Sequence, residues 1–173
     1  MQLHKLHRLS DNKICDLLHT YFSSITDEKF TKNYNPKYSN LPENIFYLMN
    51  QGAFSIGVGN YYILEHDDQF ICSAGWTTYK EKSTIALLLS RAYVNLSHRG
   101  KFHLAEYILP ECIKETTKFE NRYITINKHN KYLVNGLLRP GLSTHWPEIY
   151  RKFKFVGLQH INFTEQFVFE YHD

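Results

Sequence analysis

Cysteine is scarce in this chain: its 173 residues include only Cys15, Cys72 and Cys112. The three stand far apart, their number is odd, and no two of them form a C-x-x-C pair. A disulfide framework needs paired cysteines and a zinc ribbon needs closely spaced ones, so the pattern argues against both. We therefore expect buried free thiols in a reducing cytosol.

Long apolar runs and charge of one sign are also lacking. The first ten residues are rich in His and Lys, and no apolar stretch is long enough for a signal peptide or a membrane span. Lys and Arg (20) are mixed with Asp and Glu (17), which gives a net charge of +3. These features predict a cytoplasmic protein that binds neither membrane nor nucleic acid, although the small positive excess suits an anionic cofactor.

The ten histidines follow no metal-binding pattern. None forms H-x-x-x-H or H-E-x-x-H. His4 and His7 are three positions apart (7 − 4), which in a strand places them on opposite faces. We expect no metal site.

Aromatic side chains, by contrast, are abundant. Twelve Phe, thirteen Tyr and two Trp contribute to a hydrophobic share of 43%. This composition supports a packed core, and the length fits a single domain over residues 1–173. We expect the core and a cleft to be built largely from rings.

The hydrophobic pattern alternates between strand and helix periods along the chain. It predicts strands at 2–9, 61–64, 69–79, 84–94, 123–126, 155–161 and 166–171. It predicts helices at 10–22, 42–52, 102–117, 131–138 and 147–152, and Pro110 should bend the third or mark its early end. Residues 65–68 form the turn of a hairpin, and the apolar run 85–89 is typical of a central strand. Strands grouped around separated helices indicate an α+β fold.

The stretch from Tyr93 to Leu104 carries the most specific local pattern. It resembles the GNAT superfamily of acyl-CoA N-acyltransferases, in which a strand ends in Val, four residues follow, and a Q/R-x-x-G-x-G/A loop opens a helix. Val94 ends the strand and Arg99 falls on the Q/R position. Phe102 and Leu104 stand where that pattern has its small residues. Because the first turn of a helix needs no positive φ, these side chains could point inward and leave the amides free.

Two later stretches extend the resemblance. Residues 149–156 are similar to the family's ending, apolar-Tyr-x-x-apolar-Gly-Phe, with Tyr150 matching and Lys154 in place of the Gly. Asn130 follows the predicted fifth strand, as does an Asn that often contacts the cofactor in this family. It lies twenty positions before Tyr150 (150 − 130), so residues 137–146 are interpreted as an insertion that splits the last helix.

The resemblance implies a GNAT-like three-layer fold with a central, mostly antiparallel mixed sheet of about six or seven strands and helices on both faces. It also implies acetyl-CoA as cosubstrate, with the pyrophosphate held by N–H groups at a helix start. The cofactor-binding residues it implies are Tyr93, Val94, Arg99, Gly100, Lys101, Phe102, His103, Leu104 and Asn130.

Transfer of the acyl group to an amine by direct attack is the chemistry that the resemblance implies. Tyr150 is the candidate acid for the departing thiolate, since a hydrogen bond from its hydroxyl would stabilise the leaving group. A bulge in the fourth strand would polarise the thioester carbonyl, and its register places that bulge at 93–95. Arg91 is a candidate for holding a substrate carboxylate. The candidates for a general base lie in the acidic hairpin turn at Glu65, His66, Asp67 and Asp68.

Three functions stay open. The leading one is an acetyltransferase acting on a small-molecule or peptide amine, with the acceptor side formed by residues 26–40, the acidic turn and the insertion. The second is a catalytically inactive GNAT-fold module that binds a protein or peptide, which the missing glycines favour. The third is a long-chain acyl transferase that uses an acyl carrier and needs an apolar tunnel. A homodimer is compatible with each.

Overall fold

A computed structural model of the chain describes residues 1–5, 59–79, 84–142, 145–161 and 164–173. Both helices predicted within 10–52, the polar segment 26–40 and Cys15 lie outside these residues. Within the described part, no helix is long and apolar enough to cross a membrane.

Seven strands form one mixed sheet in the order β1-β2-β3-β4-β5-β7-β6. They are β1 (Gln2–Lys5), β2 (Gly59–His66), β3 (Gln69–Thr78), β4 (Ile85–Val94), β5 (Asn121–Asn127), β6 (Phe153–Ile161) and β7 (Thr164–Tyr171). All neighbours pair antiparallel except β4 and β5, which run parallel. The predicted α+β class, strand number and mixed sheet are confirmed, and β4 is the central strand that its apolar run predicts.

The β2–β3 hairpin turns at Asp67 and Asp68, whose φ angles of 49° and 57° are both positive. Two successive positive φ angles are typical of a primed hairpin turn, which matches the twist of the flanking strands. The predicted hairpin is confirmed, but Glu65 and His66 belong to β2 rather than to the turn.

The predicted third helix begins as a π turn at Leu104–Ile108 and continues as α1 (Leu109–Glu115). Pro110 explains the change, because it has no N–H to donate to the carbonyl four residues before it. The Leu109 N–H instead reaches the Leu104 carbonyl, five residues back. The helical segment continues past Pro110 to Glu115, so Pro110 marks a change of helix type and not an early end.

The last helix is split, as the interpreted insertion requires. The first piece is α2 (Lys131–Leu138), and the second is a short 3₁₀ helix at Glu148–Lys152. Between them, the Trp146 ring folds back over α2 at Gly136, where an added Cβ would lie 2.4 Å from the ring.

One face of the sheet packs against the π turn and α1. Ile108, Leu109 and Cys112 are each fully buried there and join side chains of β2, β3 and β4 in one apolar core. Burial raises the pKa of the Cys72 and Cys112 thiols to about 12. Both are free and buried, as expected.

Candidate functional site

The sheet divides between its two parallel strands. β4 and β5 pair only through Ile85, Ala86 and Leu87, opposite residues 121–123. Beyond Leu87, β4 continues along β3 to Val94, while β5 continues along β7. The result is a cleft between β4 and β5 that opens toward the carboxyl end of β4.

β4 is bulged where the cleft opens. Leu89 and Arg91 have φ angles of 52° and 56°, and the register against β3 shifts twice in this stretch. A bulge re-aims backbone groups that would otherwise join the ladder. The predicted position at 93–95 is wrong, because Tyr93 pairs with Ser73 and the Asn95 N–H donates to the Ile71 carbonyl at 2.9 Å. Regular pairing with β3 has resumed there.

The loop after β4 leads directly into the π turn. The Arg99 Nε donates to the Val94 carbonyl at 3.3 Å, which ties the loop to the strand end. Gly100 has a φ of 83° and open space where a side chain would stand. The Lys101 N–H donates to the His98 carbonyl at 3.3 Å, whereas the N–H groups of Gly100 and Phe102 donate to no other described residue.

Phe102 stands where the GNAT loop pattern has a glycine, and its backbone adopts a conformation that glycine favours. Its φ is 58°, so the expectation that this turn needs no positive φ is wrong. Its carbonyl accepts from the Ala105 and Glu106 N–H groups at 2.9 and 3.0 Å, which starts the helical segment. An L-residue pays roughly 1–2 kcal/mol for left-handed backbone, so packing of the ring must offset this cost.

The Phe102 ring belongs to an aromatic cluster of four side chains. It lies 6.3 Å from the Tyr132 ring, 5.4 Å from Trp146 and 6.4 Å from Tyr150, measured between centroids. Tyr132 and Trp146 lie 4.8 Å apart. The cluster joins the loop, α2, the insertion and the last 3₁₀ helix, so it brings Tyr150 close to the loop after β4.

Tyr150 is 4% exposed, and its burial raises the pKa of its hydroxyl well above the usual value. A free Tyr already has a pKa about 1.5 units above that of a thiol, or roughly 2 kcal/mol. Burial widens this gap. The hydroxyl therefore stays protonated and can donate a hydrogen bond to a thiolate without transferring its proton.

His98 and His103 lie side by side in the same loop, with ring centroids 5.5 Å apart. The Nδ1 atom of His98 and both ring nitrogens of His103 are buried and accept or donate no hydrogen bond within the described structure. Burial lowers the pKa of both imidazoles, and the neighbouring Lys101 lowers them further. Buried ring nitrogens without a hydrogen-bond partner fit a site at which a polar ligand forms the missing hydrogen bonds.

Other predicted site residues occupy structural positions in the fold. The Asn130 side chain caps α2 by accepting from the Leu133 N–H at 3.3 Å, and the residue is exposed. The Tyr93 ring is buried and stacks on Phe70 at 5.8 Å. Arg91 is half-buried in the second bulge of β4.

The acidic turn lies at the carboxyl end of β4, as predicted, because Cys72 of the returning strand pairs with Val94. Glu65 is buried and bonded to His4 of β1. His66 and Asp67 face each other at 3.4 Å on the surface. No group of three or more metal-ligating side chains occurs among the residues that the structure describes.

Solved structures share this architecture. The chain is similar to ribosomal-protein-alanine N-acetyltransferase from Brucella melitensis, with 14% identity, 98% of each chain covered and a TM-score of 0.62. It is also similar to an acyl-CoA N-acyltransferase from Pseudomonas aeruginosa, with 10% identity, 99% of this chain and 97% of that one covered, and a TM-score of 0.59. A protein from Desulfovibrio desulfuricans assigned to the GNAT family matches at 12% identity, 98% and 96% coverage, and a TM-score of 0.62.

The chain has the GNAT fold. The similarity of fold extends over nearly the whole chain. It confirms the architecture that the resemblance to the GNAT superfamily implies. No family model matches the sequence, and no curated protein matches it either. Identities of 10–14% establish the shared fold and not a shared function, so function must be argued from the cleft itself.

Proposed function

We propose that the chain is an acyl-CoA-dependent N-acyltransferase that transfers an acetyl group to an amine of a small molecule or peptide by direct attack. One observation carries the proposal: β4 leaves β5 after Leu87, and the bulged end of β4 runs into a loop that opens a helical segment. The divergence of β4 from β5 supports a cleft beside the backbone amides of this loop, and such amides suit phosphate.

The loop supplies the groups that a pyrophosphate needs. The N–H groups of Gly100 and Phe102 are available, and the space around Gly100 is open. Arg99 adds a positive charge at the rim, where a charge-assisted hydrogen bond would strengthen binding. The buried nitrogens of His98 and His103 are further candidates, since a phosphate would give them the partner they lack.

Coenzyme A, when bound, supplies the acyl thioester, and the chain's own groups orient it. Tyr150 would donate a hydrogen bond to the sulfur as the thiolate departs, which agrees with its raised pKa. The aromatic cluster keeps water away from that hydroxyl, because Phe102 and Trp146 both contact the Tyr150 ring. Glu65 is already bonded to His4, which leaves His66, Asp67 and Asp68 of the acidic turn as candidates for the base that accepts the amine proton.

Isothermal titration with acetyl-CoA tests this proposal. We expect binding in the micromolar range, and no heat at high micromolar cofactor would contradict it. Arg99→Ala should weaken binding about tenfold, the equivalent of about 1.4 kcal/mol. Lys114→Ala removes a similar exposed charge at the opposite end of the helical segment and should leave the affinity unchanged.

A second candidate, a GNAT-fold module that binds without catalysis, is favoured by Phe102. Its ring stands where a glycine would leave room for phosphate, and it packs in the aromatic cluster. If neither the wild-type chain nor Phe102→Gly binds acetyl-CoA, this second function replaces the first. If only the glycine variant binds, the ring alone blocks the site.

A further inference from the structure

A buried tyrosine reaches the bulge of β4 from two strands away. Tyr61 on β2 is fully buried, and its hydroxyl lies 2.9 Å from the Arg91 carbonyl oxygen. The same hydroxyl lies 2.9 Å from the Ser73 Oγ on β3. Arg91 is one of the two bulged residues of β4 with positive φ.

The chemistry of the three oxygens decides which one donates to which. A carbonyl oxygen only accepts, so the single Tyr61 hydroxyl proton points at the Arg91 carbonyl. The Ser73 hydroxyl then donates to the Tyr61 oxygen. The two hydroxyls form a chain of two hydrogen bonds that ends on the backbone of β4. Burial raises the pKa of Tyr61, so its hydroxyl stays protonated.

Gly75 makes this reach possible. Tyr61 pairs with Gly75, and Gly75 pairs with Ser90 of β4. A Cβ at Gly75 would lie 2.9 Å from the Tyr61 Cδ2 and 2.1 Å from the Asn60 carbonyl oxygen. The missing side chain therefore lets the tyrosine ring lie across β3, since adjacent strands are only about 4.8 Å apart.

The hydrogen bond fixes the direction of the peptide that follows Arg91. Gly75 of β3 pairs with Ser90 of β4, and Ser73 pairs with Tyr93. Between these two pairs, β4 advances by three residues while β3 advances by two, so β4 carries one extra residue. All described peptides are trans, so the Ala92 N–H points opposite to the Arg91 carbonyl. With the carbonyl turned toward Tyr61, the Ala92 N–H points away from that hydroxyl.

We propose that Tyr61 is a positioning residue: its hydroxyl holds the bulge of β4 so that the Ala92 N–H projects into the cleft. The inference rests on the proposed function for its catalytic consequence, because an amide there would polarise the acyl carbonyl. Its structural content, a tyrosine hydroxyl that holds the Arg91 peptide, stands apart from any activity.

Amide hydrogen exchange tests the structural content with a matched pair of variants. Tyr61→Phe deletes the hydroxyl that bonds Arg91. Tyr62→Phe deletes a hydroxyl from the next residue, also buried, which accepts a hydrogen bond from the Asn60 Nδ2 at 3.4 Å. We expect exchange at residues 91–93 to accelerate at least tenfold in Tyr61→Phe only, with β5 to β7 unchanged. Equal exchange in both variants would overturn the proposal.

Kinetics with acetyl-CoA test the catalytic consequence. Tyr61→Phe should lower kcat about tenfold or more while the KM for acetyl-CoA changes less than twofold, because an oriented amide acts mainly on the transition state. A change in KM alone would contradict it. If wild-type protein neither binds nor turns over acetyl-CoA, the proposed function fails, and the exchange experiment still decides the role of Tyr61.

The wild-type chain provides a further measurement in case Tyr61→Phe does not fold. A buried tyrosine hydroxyl that donates to a carbonyl exchanges slowly with water, so its proton should be visible by NMR. We expect a cross-relaxation signal between the Tyr61 hydroxyl proton and the Arg91 Hα, which lies on the residue whose carbonyl accepts that proton. A hydroxyl proton in fast exchange would overturn the proposal.

Discussion

Phe102 combines an unfavourable backbone with a favourable side chain. Its φ of 58° suits glycine, while its ring packs against Tyr132, Trp146 and Tyr150. Two variants separate these contributions, because both lose the ring and only one keeps a Cβ. Phe102→Gly should be more stable than Phe102→Ala by about 1 kcal/mol in urea unfolding, since glycine adopts positive φ without strain.

Both variants should be less stable than the wild-type chain, because each opens space in the aromatic cluster. Equal stability of the glycine and alanine variants would mean that the positive φ at position 102 does not persist in solution. Binding of acetyl-CoA measured on the same two variants then reports whether the ring or the backbone limits access to the loop.

The sequence predicts candidate site residues that belong to local patterns, and it misses those that meet only through space. Arg99, Gly100 and Tyr150 follow local patterns. Trp146 lies in the insertion, and its contact with Phe102 depends on how that segment folds back over Gly136. Tyr61 gives no local signal, because its role depends on a glycine and a bulge in two other strands.

The helical segment is held to the sheet by a polar network at the end of α1. The Glu115 carboxylate accepts from the Asn60 Nδ2 and the Trp76 Nε1, both at 2.8 Å, and it is paired with Lys5. These contacts join α1 to the three strands β1, β2 and β3. Glu115→Gln replaces one acceptor oxygen by a donor and should destabilise the fold by about 2 kcal/mol.

Glu111→Gln is the matched control for the network at Glu115. Glu111 lies one turn earlier on α1 and forms an ion pair with Lys114 of the same helix at 3.7 Å. Its replacement should change the free energy of unfolding by less than about 0.5 kcal/mol. Equal effects of the two substitutions in urea unfolding would show that the network does not hold α1 to the sheet.

Strands and helices can be predicted from the sequence where the hydrophobic pattern follows a single period. The strand pattern finds β3, β4 and β5 to within a few residues, and Pro110 signals the change of helix type. The bulges of β4 are not predictable in this way. They arise because β4 must follow β3 while it separates from β5, and that requirement comes from the whole sheet.

At the scale of the whole molecule, the fold tolerates wide divergence of sequence. Identities of 10–14% accompany TM-scores of about 0.6, because the order and period of the elements specify the sheet. The chemistry of the loop is less tolerant, since a phosphate site depends on single backbone conformations. Fold and function therefore rest on different observations in this chain.

The dependence of stability on pH follows from the half-buried imidazoles of His98 and His103, whose ring nitrogens are in part fully buried. Burial is the main cause that lowers the pKa of each; Lys101 adds to both, His66 also lowers that of His98, and Glu106 opposes the shift at His103. The unfolded chain takes up protons at the ordinary value of about 6.5, whereas the folded chain resists them. The free energy of unfolding should therefore fall as the pH drops below about 6.5 and should not depend on these groups above it.

Urea unfolding at pH 5.5, 6.5 and 7.5 measures this dependence, with a double variant as the decisive comparison. His98→Asn combined with His103→Asn removes both imidazoles and should flatten the acidic side of the profile. His129→Asn replaces an exposed histidine and should keep the wild-type slope. If the double variant also keeps that slope, the two imidazoles are not responsible. Bound phosphate should raise the pKa of both imidazoles, so acetyl-CoA should reduce the loss of stability at pH 5.5 in the wild-type chain and in His129→Asn, but not in the double variant.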